Sequence, residues 1–177
     1  MEQVPGSEPD KTAINVGVEE KSTGSLSLGF GFSTTDGPLF DVGLSERNLM
    51  GEGNDLTLHG VLSGRSSRLN LKYTEPYFLD RDISAGFDLF HSASDNQDTS
   101  SFSTKQTGGV LRANYPFTEE LRQSWSYTIK KVRIEDVSTS ASQLVQDAAG
   151  NELVSMLTHG ETYDKRDSVT SPTDGYI

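Results

Sequence analysis

The sequence predicts an all-β chain, an antiparallel meander of strands of the membrane-barrel type. Three observations predict it. Apolar and polar residues alternate with period two in segment after segment, which marks strands with two unlike faces. Turn residues bound those segments, and helical periodicity is hard to find. The polar parity is also rich in Ser and Gly, where a soluble sheet would expose Lys, Glu or Thr.

Taken in order, a polar, Pro-containing lead precedes AINVGVEE, where Ile14, Val16 and Val18 share a face. After KSTG comes GSLSLGFGFS, with Leu26, Leu28, Phe30 and Phe32 on one parity. Ser25, Ser27, Gly29, Gly31 and Ser33 occupy the other. TTDG ends it, and PLFDVGLSE sets Phe40, Val42 and Leu44 opposite Asp41, Gly43 and Ser45. RNLMGEGN reads as a turn built on Gly51 and Gly53. DLTLHGVLSG, LNLKY and ISAGFDLFH continue the alternation, separated by GRSSR and TEPYFLDRD. SASDNQDTSS reads as a polar loop before TGGVLRANYPF, and SWSYTIKK follows. The polar EDVSTSASQLVQDAAGN leads to a weaker run through Leu153 and Leu157 that ends at YDKRD. Roughly eight strands after AINVGVEE are expected.

Counting the GSLSLGFGFS strand as upward, the two longest and most polar connections fall on top, as in outer-membrane barrels. The lower turns collect Tyr77, Phe78, Tyr115 and Phe117, with Trp125 close by. Such aromatics suit a membrane interface, and they also pack beneath sharp turns.

Composition narrows the function. A net charge of −11 argues against nucleic acid, because phosphate binding needs clustered Lys and Arg. No cysteine is present, so disulfides and thiolate metal sites are excluded. No stretch approaches a membrane-spanning helix, but spanning strands hide half their apolarity by alternating. MEQVPGSEPDKT lacks the character of a signal peptide, so an envelope protein of this sequence is expected to be part of a longer chain.

Catalytic chemistry has no foothold. His59, His91 and His159 lie in separate segments without ligand spacing. GFGFST and GEGNDL lack the third glycine and the helix of a dinucleotide fingerprint. ASDNQDTSS lacks calcium-loop spacing, and no G-x-S-x-G elbow occurs. Glu19-Glu20 and Glu119-Glu120 read as solvated pairs flanking strands. The expectation is a non-enzyme with no catalytic, cofactor or metal residues.

Four motifs together carry a resemblance: VEEKSTGSLSLGFGFSTTDG, RNLMGEGNDL, TEPYFLDRD and YDKRDSVTSPTDG. In this order and spacing the chain, from about Asp10 to Gly175, resembles the outer-membrane β-barrel assembly factors of the BamA family. The residues that carry it include Glu75, Pro76, Tyr77 and Phe78, then Asp164, Arg166, Asp167, Pro172, Thr173 and Gly175.

The resemblance implies a row of periplasmic POTRA domains followed by a sixteen-stranded barrel. Residues 1–22 would then be the end of the last POTRA domain with its linker, and 23–177 the first half of the barrel. It also implies an outer-membrane location, a POTRA end in the periplasm, and no cofactor. The implied partners are unfolded β-barrel clients, outer-membrane lipid and accessory lipoproteins. The residues from Gly24 to Ser33 would form the first barrel strand, beside a weak seam that opens laterally. The family's inner-lumen V-R-G-F/Y loop is absent from this sequence.

Three other readings stay open at this stage: a related polypeptide-transporting barrel, a small structural outer-membrane barrel, and a soluble β-sandwich binding module.

Overall fold

A computed structural model of the chain describes residues 2–5, 12–15, 17, 19 and 21–177. Two short strands, β1 (Glu2–Pro5) and β2 (Thr12–Asn15), pair antiparallel into a small sheet. The polar, Pro-containing lead therefore contains a strand. Of AINVGVEE, residues 13–15 lie in β2, and Val16, Val18 and Glu20 lie outside the described residues.

The remaining strands form one eight-stranded antiparallel meander, each pairing with its sequence neighbours. They are β3 (Gly24–Ser33), β4 (Gly37–Leu49), β5 (Asn54–Ser63), β6 (Ser66–Glu75) and β7 (Ser84–Asp95). β8 (Ser103–Pro116), β9 (Leu121–Glu135) and β10 (Gly150–Tyr163) complete the sheet. Several run past their expected ends. Arg47–Leu49 belongs to β4, after a register shift beyond Glu46, so the turn is confined to Met50–Gly53. Two short helices, α1 (Gln97–Ser100) and α2 (Gln143–Asp147), sit in segments expected to be plain loop.

Those extensions alter the expected loop asymmetry. The upper connection 136–149 is the longest between strands, but the lower connection 76–83 exceeds the upper connection 96–102. The reason is that Ser92–Asp95 pairs on as strand, so polar residues above the apolar run extend the sheet instead of looping away.

Opposite residues on antiparallel strands share a face, so the register sorts the whole sheet. One row runs through Leu26, Leu44, Leu58, Leu71, Leu89, Gly109 and Ile129. The row below it runs through Leu56, Tyr73, Phe87, Leu111, Tyr127 and Leu157. All these apolar side chains point the same way, and no described hydrophobic residue is buried. Phe30 is 83% exposed and Leu111 64%. A soluble sandwich would hide such a face against a second sheet, and that reading is discarded. An apolar surface this continuous needs an apolar solvent.

The belt also slants. Leu26 is the lowest outward apolar residue of β3, whereas Ile129, in the same row, is the highest of β9. The belt therefore slips by about one residue per strand. One residue rises ~3.3 Å and neighbouring strands lie ~4.8 Å apart, so the strands lean roughly 35° from the belt normal. That is the tilt a closed membrane barrel requires.

The opposite face is mixed, not purely polar as expected. Val61, Phe90, Val110 and Val132 share it with Asp41, Lys72, Asp88 and Arg112.

Two outcomes follow from the sorted faces and the two open edges. Within its full-length parent, Leu28→Arg or Phe87→Arg should cost about 2–4 kcal/mol if near the bilayer midplane. Ser27→Arg should cost less, and equal losses in denaturant unfolding in vesicles would refute the face assignment. Among the described residues β3 and β10 have no partner along their outer sides, and unpaired backbone in hydrocarbon costs several kcal/mol per group. The isolated chain should aggregate or stay disordered, and a heat-modifiable, protease-resistant monomer in detergent would contradict this.

Candidate functional site

β3 pairs with β4 along its entire length, from Gly24 opposite Glu46 to Ser33 opposite Gly37. Its other side has no partner among the described residues, and the preceding strands β1 and β2 pair only with each other. The ten residues named from the sequence, Gly24 to Ser33, are thus one complete edge strand. Its inner face is unevenly packed: a Cβ added at Gly31 would meet only Leu39, at 3.9 Å, whereas one at Gly29 would lie 3.3 Å from Asp41 Cβ. On its outer face Phe30 packs against Phe40 with ring centroids 5.0 Å apart, at the upper end of the strand.

The inner face holds a network that the sequence did not disclose. Arg112 on β8 donates to both carboxylate oxygens of Asp88 on β7, at 2.9 Å each. It reaches on to β6, donating to the Tyr73 carbonyl at 3.2 Å and Thr74 Oγ1 at 3.1 Å. The route crosses Gly86, which sits directly opposite Arg112. A Cβ there would lie 2.3 Å from the Tyr73 carbonyl oxygen and 3.0 Å from Arg112 Nη2, so only glycine leaves the passage open. Arg112 and Asp88 both lie on the polar parity of their strands. They are partnered, and the signal was the Gly opposite an Arg, legible only once register is known. Asp41 and His59 Nε2 make a second inner contact at 2.8 Å.

At the lower edge the motif residues come together in three turns. In the first, Asn48 Oδ1 accepts from the Gly53 N–H at 2.6 Å, while the Glu46 carboxylate accepts from the Asn48 N–H at 2.9 Å and from the Thr23 hydroxyl. VEEKSTG is thereby tied to NLMGEG through Glu46, a residue the sequence reading passed over. In the second turn Glu75 ends β6 and Pro76 stops the ladder, having no N–H to give. The Phe78 N–H then donates to the Ile83 carbonyl at 2.9 Å, closing a loop whose Leu79 and Asp80 take left-handed backbone. Tyr77 and Phe78 stay largely exposed at this edge, as does Phe117 in the neighbouring turn. Trp125 stacks on His159 at 4.1 Å.

The third turn follows β10. Asp164 accepts two hydrogen bonds from the Arg166 guanidinium, at 2.9 and 2.6 Å. Asp167 accepts the Thr173 hydroxyl, the Thr173 N–H at 2.9 Å and the Asp174 N–H at 3.1 Å. Gly175 has a φ of +98°, and a Cβ there would lie 2.2 Å from the Lys165 carbonyl oxygen. Asp164, Arg166, Asp167, Thr173 and Gly175 thus form one return loop, with Pro172 in its span. The Arg166 guanidinium holds the Asp164 carboxyl at a pKa of about 2, below its ordinary 3.8. The Thr173 hydroxyl, then the Thr173 and Asp174 amides, do the same for Asp167. The first-turn and third-turn motifs lie at opposite sides of the sheet, at β3–β5 and after β10, and the structure does not join them.

Among the described residues no cluster of His, Asp or Glu could hold a metal ion. What the geometry offers is backbone: two open strand edges, a lipid-compatible outer face and a structured lower rim.

Comparison with known proteins agrees with this geometry. Residues 48–177 match the family described as the Omp85 superfamily domain. The chain is 30% identical over 180 residues to the outer membrane protein assembly factor BamA of Nitratidesulfovibrio vulgaris, covering 99% of this chain and 22% of that protein. It is 27% identical over 184 residues to BamA of Neisseria meningitidis serogroup B, covering 96% and 23%. The chain thus spans less than a quarter of these relatives. In fold it is similar to the crystal structure of Haemophilus ducreyi BamA lacking POTRA domains 1–3. The TM-score is 0.58 at 22% identity, over 88% of this chain and 32% of that one.

The return loop has a defined pH response. Both carboxyls have folded pKa values below their unfolded ones, so their stabilisation is complete above about pH 4 and fades as pH falls toward about 2. Hydrogen exchange of residues 164–177, corrected for intrinsic rates, should be flat from neutral pH down to about 5 and rise below about 4. Asp167→Asn and Gly175→Ala should each raise exchange already at neutral pH. Unchanged exchange in both would show that these contacts do not hold the loop.

Proposed function

The chain belongs to the Omp85 superfamily, and from that premise we propose that it is the first half of the barrel of an outer-membrane β-barrel assembly factor. On this reading residues 1–22 end the last periplasmic POTRA domain, with the β1–β2 pair as part of it, and 23–177 lie in the outer membrane. The upper loops face outward and the lower turns face the periplasm. The likeness to BamA proteins over nearly the whole chain supports this placement, as does the slanted apolar belt.

The function is the folding and insertion of β-barrel clients through a lateral seam at β3. The observation that carries it is the make-up of β3, the first strand of the sheet, whose inner face from Ser25 to Ser33 consists of Ser and Gly alone. A free edge is a row of N–H and C=O groups at the depth of a membrane, where no water can satisfy them. An incoming client strand satisfies them by adding to the sheet, through bonds that are indifferent to its side chains. The Ser and Gly face presents few side chains to obstruct pairing, and interior glycines weaken the strand so that a client can also leave. The work done is exchange of backbone hydrogen bonds, with no covalent step. Unfolded barrel clients, outer-membrane lipid and accessory lipoproteins are the partners, and nucleic acid is not.

Disulfide trapping tests the seam. In a full-length, cysteine-free background, Ser27→Cys should crosslink to a client whose terminal strand carries a matching Cys. The yield should alternate with register as the client position is stepped. Ser92→Cys, on the inner face of β7 with Arg68 of β6 and Gln106 of β8 opposite it, should give none. Similar yields from both positions would mean that β3 is no gate and that its Ser and Gly residues only ease the curvature of the sheet.

A further inference from the structure

Above the apolar belt, the outer face of β8 and β9 carries a group of cations that the folding of the sheet does not call for. Lys105 and Arg133 stand directly opposite each other. Like charges in that relation destabilise a strand pair. A single carboxylate, Glu135, answers both, contacting Lys105 and accepting from Arg133 Nε at 2.9 Å. One step below Arg133 on the same face is Lys131, exposed, opposite Thr107, with no ion pair among the described residues. Asp95 at the end of β7 accepts from the Gln97 N–H of α1. Three cations thus occupy two neighbouring rows of one face, in a chain whose net charge is −11.

Their height decides what they face. Ile129 is the last apolar outward residue of β9, and Lys131 comes next on the same side. Leu153 of β10, opposite Lys131, is apolar and exposed, so Lys131 stands at the upper margin of the belt and Arg133 and Lys105, one row higher, at headgroup level. Cations at that level can extend their charged ends into the interface while their stems stay in the apolar layer. A guanidinium and two ammoniums in neighbouring rows of one face suit a phosphate better than they suit one another.

We propose that Lys105, Lys131 and Arg133 bind the phosphate of a lipid headgroup in the leaflet beside the upper rim. The site rests on the outer-membrane reading above, which makes this rim the outward one. The bound headgroup supplies the negative charge that Glu135 alone does not, and it anchors the β8–β9 side of the wall, away from the β3 edge.

The test uses the full-length protein in detergent, titrated with short-chain phosphatidic acid and followed by native mass spectrometry. Lys131→Gln breaks no ion pair in the fold and should weaken binding about fivefold. Lys105→Gln, Lys131→Gln and Arg133→Gln combined should weaken it roughly a hundredfold. Lys130→Gln, on the inner face of the same strand, should leave it unchanged, and phosphatidylcholine should bind all variants alike. Wild-type affinity in both Lys131→Gln and the combined variant would overturn the proposal. So would displacement of the lipid by equimolar inorganic phosphate, which would mark a free-phosphate site. Labelling of Ser138→Cys by an impermeant maleimide on intact cells separates the two readings. Outside labelling with no loss of lipid binding overturns the phosphate site alone. Absence of outside labelling overturns the orientation, and this site with it.

Discussion

Everything in this molecule depends on the register of the antiparallel ladder. No hydrophobic core fixes the positions of the strands, because no described apolar side chain is buried. What orders the sheet is the pairing of each strand with its neighbour, and side-chain parity then assigns every residue to one face. A slip of one residue in β6 would move Leu69, Leu71 and Tyr73 inward and Lys72 outward, placing a charge against lipid. The penalty for that slip falls on the solvent side of the wall, so the bilayer acts as the missing second layer of the fold.

The same register distributes charge. Inside, Arg112 spans three strands because Asp88 lies beside it and Gly86 clears the way to Thr74. This contact holds β6, β7 and β8 together across the ladder direction, where backbone bonds alone join only adjacent pairs. Outside, the charges are pushed to the margins of the belt, with Glu46 at the lower edge and Lys105, Lys131 and Arg133 at the upper. The lower rim is further fixed by side chains that replace water for turn amides: Asn48 in the first turn and Asp167 in the last. A rigid rim and a weak edge strand are complementary, since a wall can open at one seam only if its other joints hold. Assembly-factor function, as proposed, uses that contrast.

How much of this was legible beforehand can be judged from particular residues. The eight strands, the parity of Leu26 through Phe32 and the lower-edge aromatics were readable, because period-two alternation and turn residues are local signals. The strand hidden in Glu2–Pro5 was missed because its sequence, broken by Pro5, carries no alternation long enough to detect. The upper ends of β7 and β8 were cut short because Ser, Thr and Asp look like loop unless a partner strand continues beside them. Of the candidate site, Gly24 to Ser33 was identified as a unit, and the motif residues at Asp164 to Gly175 were identified without their contacts.

By itself, then, the sequence determined that this is an alternating β chain with one apolar parity, a polar partner face and glycine-marked turns. Those properties reside in nearest and next-nearest neighbours along the chain. Only the tertiary structure decided that β3 pairs with β4 in register from Gly24 to Ser33, that Arg112 reaches Thr74 across Gly86, and that Lys105 faces Arg133. Each of these is a relation between strands, set by register, and register is a property of paired backbones that no single strand contains.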